Sequence, residues 1–257
     1  MLIDSHCHMQ LIKDINTEKL KQVIAEAKQN HVNGFLCVSV DLPDFHQMEA
    51  LTKNFPEIDI SCGIHPLHLD KKFDNQELIE NSKKDDVCAI GETGLDYHYS
   101  QENKLQQQEV FDFHIDTACQ LQKPIIVHTR SARQDTITML KKYHSTNNLT
   151  GVLHCFTENW EMAKAALDLG FYISISGIVT FKSAAELQEI AKKIPADRLL
   201  IETDAPYLAP NPYRGKENQP KYLYETAKYI SKLRNIDINE LAAITTKNYH
   251  LLFKNKR

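Results

Sequence analysis

His6 and His8 stand two residues apart in the run Asp4-Ser5-His6-Cys7-His8. On an extended strand that spacing sends both imidazoles to one side and Cys7 to the other. Two neutral imidazoles on one face make a bidentate clamp for a divalent cation. Two histidines hydrogen-bonded at a strand end would give the same spacing, so the rest of the chain has to decide. Three more of the twelve histidines, His65, His128 and His154, close short apolar or β-branched runs, as do Glu92 and Asp204. The last inward position of a barrel strand otherwise favours an apolar residue. Imidazole nitrogens from His6, His8, His128 and His154, with carboxylate oxygens from Glu92 and Asp204, suit Zn²⁺, Mn²⁺, Ni²⁺ or Mg²⁺ at an open catalytic site. Six ligands exceed what one catalytic ion takes, so the expectation is two ions about 3.5–4 Å apart that share Glu92.

Such a pair lowers the pKa of a bound water toward ~7 and neutralises charge on an attacked phosphate. Asp204, with one oxygen left over, is the expected general base, and Glu92 is catalytic as the shared ligand. Asp4 lies two residues before His6 and Glu202 two before Asp204, so both point inward and are expected to accept hydrogen bonds from ligand imidazoles. Their alternative is a structural pair with Arg198. Arg130, and with it Arg133 at the start of the next helix, is expected near the metals, where free N–H groups and guanidinium groups hold phosphate. Arg214 and Lys216 sit in a proline-stiffened loop that leaves the same rim, and they would clamp a second phosphate. His65, in Gly63-Ile64-His65-Pro66, is expected to contact substrate rather than act as a seventh ligand. Cys7 and Cys155 are expected to face away as small buried apolar residues.

The elements that bring these residues together can be read from periodicity. Eight short runs recur: Leu2–His6, Gly34–Val40, Ile58–Ile64, Val87–Glu92, Ile125–His128, Val152–His154, Phe171–Ser176 and Leu199–Asp204. Between them lie segments of helical spacing, among them Phe111, Ile115, Ala118 and Cys119 before the break at Pro124. Ser131 with Gln134, Ser183 with Glu186, and Asp237 with Glu240 have capping-box spacing. Eight strand-helix units of about 32 residues predict a single (β/α)8 TIM barrel over 1–257, with a doubly wound open sheet as the alternative. The C-terminal rim of such a barrel is where functional side chains converge.

Composition sets further bounds. With 42% hydrophobic and 25% charged residues, the chain is an ordinary globular protein and not a disordered or fibrous one. Thirty Lys and Arg against thirty-four Asp and Glu give a net charge of −4, so no global basic field draws in nucleic acid. The six cysteines are too widely spaced for a stapled mini-domain and are read as reduced. The first residues show no basic n-region with an apolar h-region, and no run approaches a membrane span, so a cytoplasmic location without a membrane or obligate protein partner is expected.

Taken together, these motifs with Gly91-Glu92-Thr93-Gly94-Leu95-Asp96-Tyr97, His128-Thr129-Arg130, His154-Cys155-Phe156 and the run from Glu202 to Pro210, followed by Arg214-Gly215-Lys216, resemble the TatD family of metal-dependent hydrolases. The resemblance covers essentially the whole chain in order, with no ligand position substituted. It implies a TIM barrel of amidohydrolase type. It also implies that His6, His8, Glu92 and Asp204 hold one ion and Glu92, His128 and His154 the other. Mg²⁺ is a usual supporting ion in that family, and the activity implied is a deoxyribonuclease acting as a 3′-5′ exonuclease on single-stranded DNA ends.

The residues by themselves indicate metal-assisted hydrolysis of some ester, small phosphoesters included. Two competitors therefore stand beside the nuclease. The first is a binuclear amidohydrolase or esterase that cleaves C–N or ester bonds. The second is a catalytically silent scaffold braced by its metals.

Overall fold

The computed structural model describes residues 1–69, 74–147 and 149–254. Its eight strands are β1 (Leu2–Cys7), β2 (Val32–Val38), β3 (Ile58–Cys62), β4 (Val87–Asp96), β5 (Ile125–Arg130), β6 (Gly151–Leu153), β7 (Tyr172–Ile175) and β8 (Leu199–Ile201). Adjacent strands run parallel and pair in chain order from β1 to β8. That order is a nearly closed (β/α)8 barrel, and it excludes the doubly wound sheet, in which the order reverses part-way. The seam between β8 and β1 is closed by individual bonds. Ser5 Oγ donates to Ile201 O (2.9 Å), Thr203 N to Asp4 Oδ1 (2.9 Å) and Asp204 N to His6 O (3.0 Å).

Among the described residues nine α-helices alternate with the strands: α1 (Thr17–Gln29), α2 (Leu42–Thr52), α3 (Asn75–Lys83), α4 (Lys104–Leu121), α5 (Arg133–Asn147), α6 (Trp160–Asp168), α7 (Ala185–Lys193), α8 (Leu223–Arg234) and α9 (Ile238–Tyr249). Local chemistry sets their ends. Asn16 accepts from Lys19 N at the start of α1, whose Leu20, Val23, Ile24 and Ala27 form one buried stripe. α4 buries Phe111, Ile115 and Ala118 and stops where Gln122 turns left-handed (φ 53°) ahead of Pro124. Of the three expected capping boxes, Asp237 does cap α9 through Asn239 N. Ser183 does not cap α7, which begins after Ala184 with no side-chain cap. Ser131 is itself left-handed (φ 55°), and its N–H goes to Glu158 Oε1 at 3.0 Å.

Strand alternation divides the core in two. Leu36, Val38, Ala89, Ile126, Val152 and Leu200 fill the barrel interior, and Tyr249, Leu252 and Phe253 from the C-terminal segment pack against them. Tyr249 Oη donates to Asp59 Oδ2 (2.6 Å) near the start of β3, so this plug sits at the N-terminal end of the strands. The opposite residues of the strands, such as Cys7, Phe35, Cys37, Ile60 and Cys62, pack in the larger layer beneath the helices. All six cysteines are free thiols. No helix of the described residues is long and apolar enough to cross a membrane.

Candidate active site

At the C-terminal ends of the strands lies a cavity of about 660 Å³ whose wall includes His8, His65, Glu92, Asp96, His128, Arg130, His154 and Asp204. Glu92 is its centre. Oε2 lies 3.3 Å from His6 Nε2 and 3.7 Å from His8 Nε2, whereas Oε1 lies 2.7 Å from His154 Nε2, 3.1 Å from His128 Nδ1 and 3.4 Å from His65 Nε2. The two oxygens of one buried carboxylate thus serve two separate groups of imidazoles. Asp204 Oδ1 joins the first group, 3.4 Å from His8 Nε2 and 3.8 Å from His6 Nε2.

The backbone around Glu92 explains why glycines flank it. A Cβ on Gly63 would meet Gly91 Cα at 2.3 Å, and one on Gly94 (φ +138°) would meet His128 O at 2.0 Å. β3, β4 and β5 approach closely enough to converge their side chains only because these positions lack a side chain. Asp204 holds a left-handed conformation (φ 58°), tolerable for Asp and fixed by its N–H to His6 O.

The outer nitrogens of the imidazoles are tied down. His8 Nδ1 donates to Val38 O (2.7 Å); because a carbonyl can only accept, neutral His8 presents its Nε2 lone pair to the cavity. His154 Nδ1 lies 3.3 Å from Glu202 Oε1, and His128 Nε2 lies 3.1 Å from Asp96 Oδ2. Metal-ligating histidines are oriented in this way, with the second nitrogen donating to a carboxylate or carbonyl. His154 Nε2 is buried and, for all its closeness to Glu92, lacks the alignment of a hydrogen bond. The nitrogen and oxygen donors gathered on Glu92 fit divalent cations, and His6, His8 and Glu92 bring their ligand atoms within 4.8 Å of one another.

Burial opposes the charge on every one of these groups, and their mutual pairing decides the outcome. Burial alone would raise Glu92, yet the surrounding imidazoles hold its carboxyl well below the usual range. Burial would lower His8, but Asp204 beside it pushes it up to about 9. Asp204 is held low by His8 against the same burial. His65 differs. Burial takes it down to about 3, so it is neutral, and its Nδ1 accepts from Leu67 N (3.1 Å). Its proton therefore sits on Nε2, facing the cavity as a donor rather than as a ligand lone pair.

A family model described as TatD related DNase matches residues 3–254. The chain belongs to the TatD family of metal-dependent hydrolases. An uncharacterized metal-dependent hydrolase of Buchnera aphidicola is 48% identical over 261 residues, covering 98% of both chains. YcfH of Escherichia coli K12, also an uncharacterized metal-dependent hydrolase, is 46% identical over 253 residues, covering 98% of this chain and 95% of its own. Among solved structures, the TatD homologue YjjV of E. coli K12 superposes with a TM-score of 0.92 at 26% identity, covering 98% of each chain. This TatD protein is thus a metal-dependent hydrolase on a TIM barrel.

Several side chains lie elsewhere than the sequence suggested. Asp4 meets no ligand imidazole; it accepts from Thr203 N and from Thr203 Oγ1 (2.5 Å), holding the seam, and burial raises it to about 8. Arg198 contacts neither Asp4 nor Glu202 and pairs with Asp197. Arg133 is bound to Glu158, whose other oxygen takes Ser131 N, so a carboxylate occupies the place expected for phosphate. Arg214 rests on the Phe181 ring (4.4 Å) and Lys216 over Tyr213 (5.7 Å), and neither is part of the cavity wall. Cys155, with φ 40°, turns into the cavity wall instead of away from it. Two further residues gain a role from the structure, Asp96 and Glu158. Asp96 was signalled by its four-residue offset from Glu92 on one strand, which puts both on one side. Glu158 has no local signal, because its partners are 25 and 27 residues away.

Proposed function

We propose that this TatD protein is a deoxyribonuclease that removes nucleotides from the 3′ end of single-stranded DNA with two divalent cations, Mg²⁺ foremost. The observation that carries the two-ion reading is the division of Glu92, with Oε2 facing His6 and His8 and Oε1 facing His128 and His154. His6, His8, Glu92 and Asp204 would hold one ion, and Glu92, His128 and His154 the other. When bound, such ions lower the pKa of water and neutralise phosphate charge.

The protein's own groups do the rest. Asp204, kept ionised beside His8, accepts the proton of the attacking water. His65 donates its Nε2 proton to a non-bridging phosphate oxygen, and Arg130, on the same wall, offsets charge on a neighbouring phosphate. Water oxygen bonds to phosphorus in line, and the bond to the penultimate 3′-oxygen breaks. That oxygen takes a proton from solvent, and the terminal residue leaves as a 5′-monophosphate.

The test gives purified protein Mg²⁺, Mn²⁺ or Zn²⁺ with end-labelled single-stranded and duplex DNA beside a panel of carboxylic esters and amides. Stepwise loss of 3′ nucleotides from the single strand is expected. Cleavage of amides or esters without nucleotide release would replace the nuclease by the amidohydrolase reading.

A further inference from the structure

Large apolar side chains are exposed at seven positions of the described residues, and four of them, Leu67, Tyr99, Tyr207 and Leu208, line the active-site cavity. Such side chains gathered at one mouth mark a binding surface. Tyr99 is 62% exposed and Tyr207 51% exposed, although both belong to firmly held backbone. Asp96 Oδ1 accepts from His98 N (3.0 Å) and Tyr99 N (2.9 Å), and Tyr207 N donates to Asp204 O (2.8 Å). Each aromatic ring is thus hung on a carboxylate residue of the site.

Their placement follows from the barrel. Tyr99 comes just after β4 and Tyr207 after β8, and strands four apart in a ring of eight stand on opposite sides of the mouth. Arg130, opposite Asp96 in the β4–β5 ladder, lays its guanidinium over the Tyr99 ring at 4.5 Å. Among the described residues it is the one lysine or arginine in the cavity wall, whose carboxylates include Glu92, Asp96 and Asp204. Tracking a polyanionic backbone takes several cations, whereas the described wall of this mouth offers Arg130 together with exposed aromatic faces.

We propose that Tyr99, backed by Arg130, and Tyr207 are two stacking platforms, each taking one unpaired nucleobase, one on either side of the phosphodiester to be cut. This rests on the nuclease reading and names the part of the substrate that provides affinity. Stacking on an aromatic ring tolerates any base, because every base has a π-face, and it requires bases that are not already stacked in a duplex. Selection of single strands then comes from the mouth, while the imidazole and carboxylate floor serves the phosphate.

Binding tests this separately from hydrolysis. Fluorescence anisotropy is measured for labelled octathymidylate and for an equally labelled octamer of abasic residues with the same phosphates, using the full chain loaded with Ca²⁺. Octathymidylate is expected to bind about tenfold or more tightly than the abasic octamer. That preference should vanish in the Tyr99→Ala, Tyr207→Ala double variant and survive in the double Phe variant. Equal binding of both octamers by the wild type, no binding of either, or a preference untouched by the double Ala change would each overturn the platforms. Failure of the nuclease reading would show instead as intact oligonucleotides in Mg²⁺ or Mn²⁺, whatever the binding preference.

Discussion

Asp96 Oδ2 stands 3.1 Å from His128 Nε2, while the other nitrogen of that imidazole faces Glu92. An anionic acceptor behind a ligand imidazole fixes its tautomer and raises its basicity. Asp96→Asn keeps an Oδ1 to accept from His98 N and Tyr99 N but removes the charge. Metal affinity, read by calorimetric titration, should fall on the order of 10-fold to 100-fold, with the melting temperature little changed. Unaltered affinity would reduce Asp96 to a turn-forming residue.

Asp204→Asn should leave the left-handed backbone intact, since Asn tolerates that conformation as Asp does. Turnover on single-stranded DNA should drop on the order of 10²-fold or more, the contribution of a positioned base. Wild-type turnover in this variant would remove Asp204 from proton transfer.

Gly94→Ala tests the close approach of β4 and β5. The added Cβ would stand 2.0 Å from His128 O at a φ of +138°. Overpacking of this kind costs about 1–3 kcal/mol before the backbone strain is added. Urea unfolding should show a midpoint shifted down accordingly, together with weaker metal binding because His128 moves. A midpoint equal to the wild type would contradict the packing described.

His114 gives a pH dependence away from the metal site. It is fully buried, and burial lowers it to about 4 from its ordinary 6.5; its Nε2 accepts from Ile64 N (3.1 Å) and its Nδ1 donates to Val110 O (2.7 Å). Between those two values the unfolded chain binds a proton that the native chain does not. The stability from neutral His114 is therefore complete above about pH 6.5 and is lost as pH falls toward about 4, by up to roughly 1.4 kcal/mol per unit. Urea titrations across this window should show a slope that is shallower in His114→Gln.

All eight strands were legible in the sequence because apolar and β-branched runs mark them, yet their ends moved for tertiary reasons. β8 stops at Ile201, and Glu202 to Asp204 leave the ladder where Asp204 turns left-handed. β4 runs on to Asp96, past the Thr93-Gly94 step that interrupts its apolar run, because Gly94 permits pairing with β5. The histidines and carboxylates of the site were readable as strand-end polar residues. The roles of Glu158 and Arg133 were not, since a carboxylate reaching across to another helix start leaves no periodic trace. Cys155 was misplaced because strict alternation fails once the backbone takes a positive φ.

The proposed site would hold two cations, one on each side of Glu92. Crystals loaded with Mn²⁺ and measured at its absorption edge test it most directly. Two anomalous peaks about 3.5–4 Å apart are expected, one beside Glu92 Oε2 with His6, His8 and Asp204, the other beside Oε1 with His128 and His154. A single peak, or peaks away from Glu92 in fully loaded crystals, would contradict it.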